Sequence, residues 1–148
     1  MKKYPKISVI IPSFNRFSFL LDSIDSVRLQ NYPDLEIIII NDGSTEENYY
    51  SYKFEKDIHI VHLKENQKSI HGFGPGSIRN FGTNIATGTY LAFLDDDDIW
   101  LENKLIKQID SMISNNFLLS STEGYYGEGK YDLKKSYELY NREKYIED

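Results

Sequence analysis

The sequence predicts an α/β domain with a Rossmann-like, mostly parallel sheet and flanking helices. Ile7–Ile11 and Leu35–Ile40 are short apolar runs rich in β-branched residues, which is typical of strands buried on both faces. Residues 17–29 lie between them and carry apolar side chains such as Leu20 and Ile24 at helical spacing. Because strands that alternate with helices pair in parallel, this alternation predicts the fold class.

The rest of the chain continues the alternation. Further strands are predicted over residues 58–63, 89–94 and 117–122. Further helices are predicted over residues 45–54, 77–87 and 101–112. The second of these is expected to begin with Ser77 as its N-cap. The polar, glycine-rich segment 64–76 predicts a loop that closes over a ligand.

Composition limits the size, location and partners of the protein. The chain of 148 residues has the length of one domain, which we divide into an α/β part, 1–122, and a tail with no assigned structure, 123–148. A net charge of -6 argues against binding nucleic acid by neutralising phosphates. Without a signal peptide or membrane span, a cytoplasmic location is expected, and attachment to the inner membrane face through a partner chain stays open.

The absence of cysteine restricts the chemistry of any metal site. Disulfides and thiolate ligands are excluded, so a metal must bind through oxygen or histidine. Oxygen ligands favour Mg²⁺, Mn²⁺ or Ca²⁺.

Three polar segments follow the predicted strands at the point where each strand ends. They are residues 12–16, 41–45 and 95–98. In parallel sheets, ligands bind beyond the carboxyl ends of the strands. The three segments are therefore expected to converge on one binding site at one edge of the sheet.

The strongest chemical signal is the run of four aspartates, Asp95 to Asp98. Adjacent carboxylates repel one another, and the repulsion grows as water is removed from them. A bound divalent cation relieves this repulsion and leaves coordination positions for phosphate oxygens. The alternative is a solvated turn, but its position after a buried strand favours the metal site.

Two further residues are candidates for ligand binding. Asp42 can accept hydrogen bonds from a ribose hydroxyl or a base N–H, and the alternative is that it only forms the tight turn of Asp42-Gly43-Ser44. Arg79 is predicted in the first turn of a helix, where a positive charge opposes the helix dipole unless an anion such as a diphosphate binds nearby. The alternative for Arg79 is a salt bridge to one of the aspartates.

Taken together, four segments resemble glycosyltransferase family 2. They occur in the order and at the spacing of that family, and they cover roughly residues 6 to 115. The segments are Ser8–Arg16, Glu36–Ser44, Ile78–Tyr90 and Phe93–Trp100.

The resemblance implies the A-type glycosyltransferase (GT-A) fold, a nucleoside-diphosphate-sugar donor and Mn²⁺ or Mg²⁺ as cofactor. The family favours a UDP-sugar as donor and a glycan or lipid-linked acceptor, with inversion at the anomeric carbon. By this likeness, nucleotide-sugar binding falls to Pro12, Ser13, Phe14, Asn15, Asp42, Arg79, Asp95 and Asp96. Asp97 is the expected direct metal ligand and Asp95 the other end of the Asp-x-Asp motif.

The chain departs from the family in length. Family members continue past residue 148, and their later half carries the acceptor site and the catalytic carboxylate. No catalytic base is assigned here, and Glu123 does not match the family's base. A truncated chain, a gene fragment or half of a split enzyme is therefore expected. The alternatives are a non-catalytic nucleotide-sugar-binding module that needs a partner chain, and a calcium-binding or structural domain.

Overall fold

The structure is a computed structural model that describes residues 4–72 and 74–140. Two compact units divide the chain, Met1–Asn103 and Lys104–Asp148. The boundary at residue 122 that composition suggested stays a prediction. The first unit contains the elements β1 (Ile7–Ser13), α1 (Phe17–Arg28), β2 (Leu35–Asn41), α2 (Asn48–Ser51), β3 (Ile58–His62), α3 (Gln67–His71), α4 (Pro75–Ile85) and β4 (Tyr90–Phe93).

The first unit is built on a parallel sheet with the strand order β3-β2-β1-β4. This confirms the predicted fold class. Ile7 of β1 is in register with Leu35 of β2 on one side and with Tyr90 of β4 on the other. The carboxyl ends of β1, β2 and β4 therefore lie at the same edge of the sheet, which brings the segments that follow them together.

The two central strands are buried along almost their whole length, which explains their continuous apolar sequence. On one face, Ile10, Ile38 and Ile40 form a core with Ile78 of α4. Helix α4 packs closely against β1 at Gly82, which has no side chain. A Cβ added to Gly82 would lie only 2.5 Å from Cγ2 of Ile10. A larger residue at position 82 would push this helix away from the sheet.

Helix α4 begins earlier than the sequence predicted. Its N-cap is Gly74 and Pro75 stands in its first turn, so the expectation that Ser77 is the N-cap was wrong. Proline fixes its backbone in a helix-compatible conformation and lacks an N–H, which suits the first helical position. Arg79 therefore lies in the second turn of the helix, not in the first. The segment predicted as a loop before α4 also contains the short helix α3.

Helix α2 is much shorter than predicted. It covers four residues, whereas the sequence suggested a helix over residues 45–54. The residues before it adopt a loop in which the backbone N–H groups of Thr45 and Glu46 donate to the side chain of Asn15. These tertiary hydrogen bonds hold Thr45 and Glu46 in the loop, and the helix begins only at Asn48.

The second unit consists of α5 (Lys104–Asn115) and a two-stranded antiparallel ribbon of β5 (Tyr125–Tyr126) and β6 (Glu138–Leu139). The strand predicted over residues 117–122 is absent, so that prediction was wrong. Leu118 is 96% exposed, so the apolar side chains of this segment do not gain the burial that stabilises a strand. Within the described residues, no helix is long and apolar enough to cross a membrane.

A buried carboxylate fixes the end of the sheet opposite to the ligand edge. The Oε1 atom of Glu36 accepts from the hydroxyl of Ser8 at 2.5 Å and from the backbone N–H of Thr87 at 2.6 Å. Its Oε2 atom pairs with the ammonium of Lys6 at 2.7 Å. Burial acts to raise the pKa of Glu36, but the Lys6 ammonium and the hydrogen bonds from Ser8 and Thr87 outweigh it and lower the pKa to about 2. The connection from α4 to β4 is thereby tied to β1 and β2.

We predict that Glu36 makes stability depend on pH in the acid range. Its pKa is lowered from 4.5 to about 2, so its contribution is complete above pH 4.5 and is lost as the pH falls towards 2. A shift of this size corresponds to about 3 kcal/mol. Glu36→Gln should therefore unfold at lower urea concentration than the wild type near neutral pH. The difference between the two proteins should shrink as the pH falls.

The matched control is Glu55→Gln, because Glu55 forms an ion pair with Arg28 on the surface, where it is 70% exposed. Its effect on the free energy of unfolding, measured in urea, should be below about 0.5 kcal/mol at every pH. A constant difference between wild type and Glu36→Gln from neutral pH to pH 2 would contradict the assigned role of Glu36.

Candidate functional site

A cavity of about 420 Å³ opens at the carboxyl edge of the sheet. Its lining includes residues from all three segments that the sequence analysis expected to converge there. These are Pro12 and Ser13 at the end of β1, Phe14 and Arg16 after β1, Asp42 after β2, and Asp95, Asp96 and Asp97 after β4. Asn66, Lys68, Gly74 and Ile78 complete it. A phenyl ring, several carboxylates and two cationic side chains thus face one space.

A chain of hydrogen bonds joins the end of β1 to the acidic turn. The hydroxyl of Ser13 donates to Oδ2 of Asp96 at 2.7 Å. Since that bond uses the Ser13 proton, the hydroxyl of Tyr49, 2.5 Å from Oγ of Ser13, is the donor to Ser13. The Tyr49 oxygen also accepts from the backbone N–H of Arg16 at 3.1 Å. This chain fixes the loop after β1 against the buried carboxylate of Asp96.

Polar side chains on the buried face of α1 hold the backbone of the acidic turn. The single hydroxyl proton of Ser23 is shared between the carbonyl oxygens of Asp96, at 2.9 Å, and Asp98, at 2.7 Å. Further along α1, Ser26 accepts from the backbone N–H of Trp100 at 3.1 Å. These contacts satisfy carbonyl and N–H groups that would otherwise be buried without partners. The aspartates are therefore presented on a fixed turn.

Two arginines form ion pairs with carboxylates of the acidic turn, Arg16 with Asp97 and Arg79 with Asp95. Nη1 of Arg16 lies 2.5 Å from Oδ2 of Asp97 and 3.5 Å from Oδ1 of Asp96. Nη2 of Arg79 pairs with Oδ1 of Asp95, which is the salt bridge considered as the alternative for Arg79. The Nε atom of Arg79 is buried and has no hydrogen-bond partner among the described residues.

The aspartates differ in their environment. Asp96 is 6% exposed, and burial raises its pKa despite the hydrogen bond from Ser13 and the nearby Arg16. Burial also raises the pKa of Asp98, with repulsion from Asp97 and Asp95 adding to the effect. The repulsion that the sequence analysis inferred is thus present, and a nearby positive charge lowers its cost.

Asp42 anchors the loop that begins α3. Its Oδ2 atom accepts from the side-chain amide of Asn66 at 2.8 Å, and its Oδ1 atom accepts from the backbone N–H of Gln67 at 2.9 Å. Burial raises its pKa, partly offset by the bond from Gln67. Each carboxylate oxygen can accept more than one hydrogen bond, so Asp42 retains capacity to bind a ligand in the cavity.

Asn15 connects two of the loops at the edge and does not line the cavity. Its backbone has a positive φ of 51°, a conformation that asparagine tolerates better than most residues. Its side-chain oxygen accepts from the backbone N–H of Thr45 at 2.7 Å, and its own N–H donates to Ser44 at 2.9 Å. Asn15 therefore holds the loops after β1 and β2 together.

The structure brings most of the predicted site residues to one place. Asn15 and Arg79 are the two that do not line the cavity, since Asn15 fixes loops and Arg79 binds Asp95 beside it. Their predicted contacts with a nucleotide sugar stay predictions, as do those of the lining residues. The sequence placed Arg16 in the segment 12–16, and Asn66 and Lys68 in the loop 64–76, but it gave none of these three a specific role. It missed Tyr49, which carries no local signal of its contact with Ser13.

The cavity fits a divalent cation and a diphosphate better than a diphosphate alone. Its lining carries four carboxylates but only two cationic side chains, Arg16 and Lys68. A diphosphate would be repelled unless a further positive charge were bound with it. Hard carboxylate oxygens are suitable ligands for Mg²⁺ or Mn²⁺, which typically use one or two carboxylates and complete their shell with phosphates and water. Within residues 4–72 and 74–140, no group of three or more His, Asp or Glu side chains is arranged to hold a metal ion by itself.

Comparison with known proteins shows the family. The sequence model described as "Glycosyl transferase family 2" matches residues 8–148. The chain therefore belongs to glycosyltransferase family 2, which confirms the resemblance seen in the motifs. An uncharacterized glycosyltransferase of Rickettsia bellii (strain RML369-C) is 43% identical over 118 residues, covering 79% of this chain and 16% of the relative.

Two relatives have more specific names. The putative teichuronic acid biosynthesis glycosyltransferase TuaG of Bacillus subtilis (strain 168) is 38% identical, covering 80% of this chain and 46% of TuaG. The Escherichia coli enzyme WfgD, named UDP-Glc:alpha-D-GlcNAc-diphosphoundecaprenol beta-1,3-glucosyltransferase, is 34% identical, covering 74% of this chain and 42% of WfgD. The chain thus spans less than half of the length of these curated relatives.

Solved structures confirm the GT-A fold. S. aureus TarS residues 1–349, in complex with UDP-GlcNAc, superposes with a TM-score of 0.61 at 25% identity, covering 74% of this chain and 31% of TarS 1–349. The mannosyltransferase PcManGT of Pyrobaculum calidifontis, in complex with GDP-Man and Mn²⁺, gives a TM-score of 0.60 at 21% identity, covering 71% of this chain and 31% of that one. At this identity the second likeness concerns the fold alone.

We predict that the hydroxyl of Tyr49 supports the loop after β1. Tyr49→Phe removes the donor to Ser13 and the acceptor for the Arg16 N–H while keeping the buried ring, so it should destabilise the protein by about 1–2 kcal/mol in urea unfolding. Tyr52→Phe is the control, because its half-exposed ring packs edge-on against Phe17 and stays in place. Equal midpoints for Tyr49→Phe and wild type would contradict the assigned hydrogen-bond chain.

Proposed function

We propose that this chain provides the donor site of an inverting glycosyltransferase that uses a UDP-sugar with Mn²⁺ or Mg²⁺ to build a cell-surface glycan. One observation carries the proposal: Phe14, Asp42 and the Asp95–Asp97 turn line the same cavity at the carboxyl edge of a GT-A sheet. The likeness to TarS, whose structure contains UDP-GlcNAc, supports a uridine nucleotide.

The cavity suits the parts of a nucleotide sugar. Phe14 is 40% exposed at the cavity wall and offers a ring for stacking with a base. Asp42 offers carboxylate oxygens to a base N–H or a ribose hydroxyl. On the other side, Asp95 and Asp97 are the residues that would hold the metal, and Asp96 supports them from the buried side through Ser13. In this arrangement the diphosphate lies between the nucleotide and the acidic turn.

The proposed reaction is the attack of an acceptor hydroxyl on the anomeric carbon of the sugar. A base removes the hydroxyl proton, the new C–O bond forms on the face opposite to the diphosphate, and the bond to the diphosphate breaks. A divalent cation, when bound, stabilises the negative charge that develops on the departing nucleoside diphosphate. The fixed acidic turn contributes by keeping its carboxylates at one place throughout the reaction.

We infer that the acceptor is a lipid-linked or growing glycan at the inner face of the membrane. The name of WfgD specifies an acceptor linked to diphosphoundecaprenol, and the name of TuaG refers to teichuronic acid biosynthesis. Both relatives are more than twice as long as the part that this chain matches. The base and the acceptor site are therefore assigned to a region other than the donor site described here.

We predict that UDP and Mn²⁺ together stabilise the chain. At ligand concentrations about tenfold above the dissociation constant, binding should add ~1.4 kcal/mol and raise the melting temperature by about 4 °C in a thermal-shift assay. Mn²⁺ alone or UDP alone should give a smaller shift, because each leaves charge in the cavity uncompensated. Asp97→Asn should remove most of the Mn²⁺-dependent part.

The control for this experiment is Asp25→Asn, which changes an exposed aspartate of α1 and should leave the shift with UDP and Mn²⁺ unchanged. A shift that is equally large without Mn²⁺ and in Asp97→Asn would contradict a metal-dependent donor site. The absence of any shift at millimolar UDP and Mn²⁺ would contradict nucleotide binding as a whole. A response to Ca²⁺ without nucleotide would favour the calcium-binding alternative instead.

A further inference from the structure

Arg16 holds the position that a cation at the acidic turn would need. Its Nη1 atom lies between two carboxylates, 2.5 Å from Asp97 and 3.5 Å from Asp96. A single positive group that contacts oxygens from neighbouring aspartates neutralises them in the way a metal ion does. Arg16 ends the segment 12–16 that was expected at the binding site, and its contacts with Asp96 and Asp97 give it a specific place there.

We propose that Arg16 is an exchangeable counterion: it leaves Asp97 when a divalent cation binds there and then donates to the diphosphate of the nucleotide. The proposal rests on the proposed function, because it requires a metal at Asp97. It adds a diphosphate-binding residue and a reason why metal and nucleotide bind together.

The ion pair between Arg16 and Asp97 is exposed to solvent and therefore weak. Both side chains are about half exposed, 52% for Arg16 and 47% for Asp97. Exposed ion pairs contribute little to stability, so releasing this one costs little. By contrast, Arg79 is 27% exposed, which makes its pair with Asp95 the more permanent of the two. Asp96 is held by Ser13 and is not free to follow Arg16.

Arg16 can change partner without moving its backbone. Its N–H donates to the Tyr49 hydroxyl at 3.1 Å, and its carbonyl oxygen accepts from Leu20 at 3.0 Å in the first turn of α1. The side chain therefore pivots from a fixed point at the wall of the cavity, where the diphosphate is expected. A guanidinium is well suited to phosphate oxygens because its N–H groups form charge-assisted hydrogen bonds with them.

Electrostatics then couples the two ligands. A divalent cation at Asp97 repels the guanidinium of Arg16 and weakens its ion pair with that carboxylate. Metal binding without nucleotide therefore drives Arg16 towards water. Metal binding with a nucleoside diphosphate gives the displaced guanidinium a new anionic partner. Each ligand thus strengthens the binding of the other, as linkage requires.

The test measures the dissociation constant of Mn²⁺, with and without saturating UDP, from the electron paramagnetic resonance signal of free Mn²⁺. In the wild type, UDP should tighten Mn²⁺ binding. In Arg16→Gln, Mn²⁺ alone should bind about tenfold tighter than in the wild type, and the enhancement by UDP should fall by at least about tenfold. Arg16→Lys keeps the charge and should retain most of the enhancement.

Two control variants separate this exchange from simpler effects. Lys68→Gln removes another cation that lines the cavity but has no ion pair with the aspartates in the described part of the chain, so it should change Mn²⁺ binding without UDP much less than Arg16→Gln does. Arg28→Gln removes a surface arginine that pairs with Glu55 and should leave both constants unchanged.

Several outcomes would overturn the proposal. If Arg16→Gln weakens or leaves unchanged the binding of Mn²⁺ alone, Arg16 only supports the turn and does not compete with the metal. If Arg16→Lys behaves like Arg16→Gln, or Lys68→Gln matches it, exchange at Asp97 is not the cause. If wild-type protein binds no Mn²⁺ with UDP present, the proposed function fails; if it does and the enhancement survives in Arg16→Gln, the exchange alone fails.

Discussion

Four consecutive carboxylates at the end of β4 impose the constraint on which the ligand edge depends. Their mutual repulsion must be offset, and the structure does so by different means for different residues. Asp96 is buried against the Ser13 hydroxyl, while Asp95 and Asp97 face the arginines Arg79 and Arg16. The turn that carries them is fixed to α1 by the hydroxyl of Ser23. The contacts that neutralise this charge therefore also hold the end of β1 and the loop that follows it against the turn after β4.

The two ends of the sheet handle buried charge in opposite ways. At the end away from the cavity, Glu36 is fully satisfied by Lys6, Ser8 and Thr87, and its pKa is lowered. At the cavity, the pKa values of Asp42 and Asp96 are raised by burial, so these carboxylates are less completely stabilised. Ionisable groups with strongly shifted pKa values are often found at ligand-binding and catalytic sites. This contrast supports the carboxyl edge as the functional end of the first unit.

The family and fold of this chain are shown directly, whereas its activity is a proposal. The match over residues 8–148 and the GT-A neighbours fix the family and the fold. The proposed binding of a nucleotide sugar rests on the geometry of the cavity in the first unit. The relatives are more than twice as long as the stretch they share with this chain, and transfer to an acceptor is accordingly proposed for the whole protein.

The sequence by itself determined the parallel sheet, the order of its main elements and the three segments that meet at its edge. It could do so because buried strands and amphipathic helices leave periodic patterns, and because the carboxyl ends of parallel strands share one edge. It did not predict the short length of α2, the start of α4 at Pro75 or the exposed segment at Leu118. It also missed Tyr49, which lies 36 residues from Ser13 in the chain and touches it in the fold. Those features depend on hydrogen bonds and burial between distant residues, which leave no local pattern, so only the tertiary structure decided them.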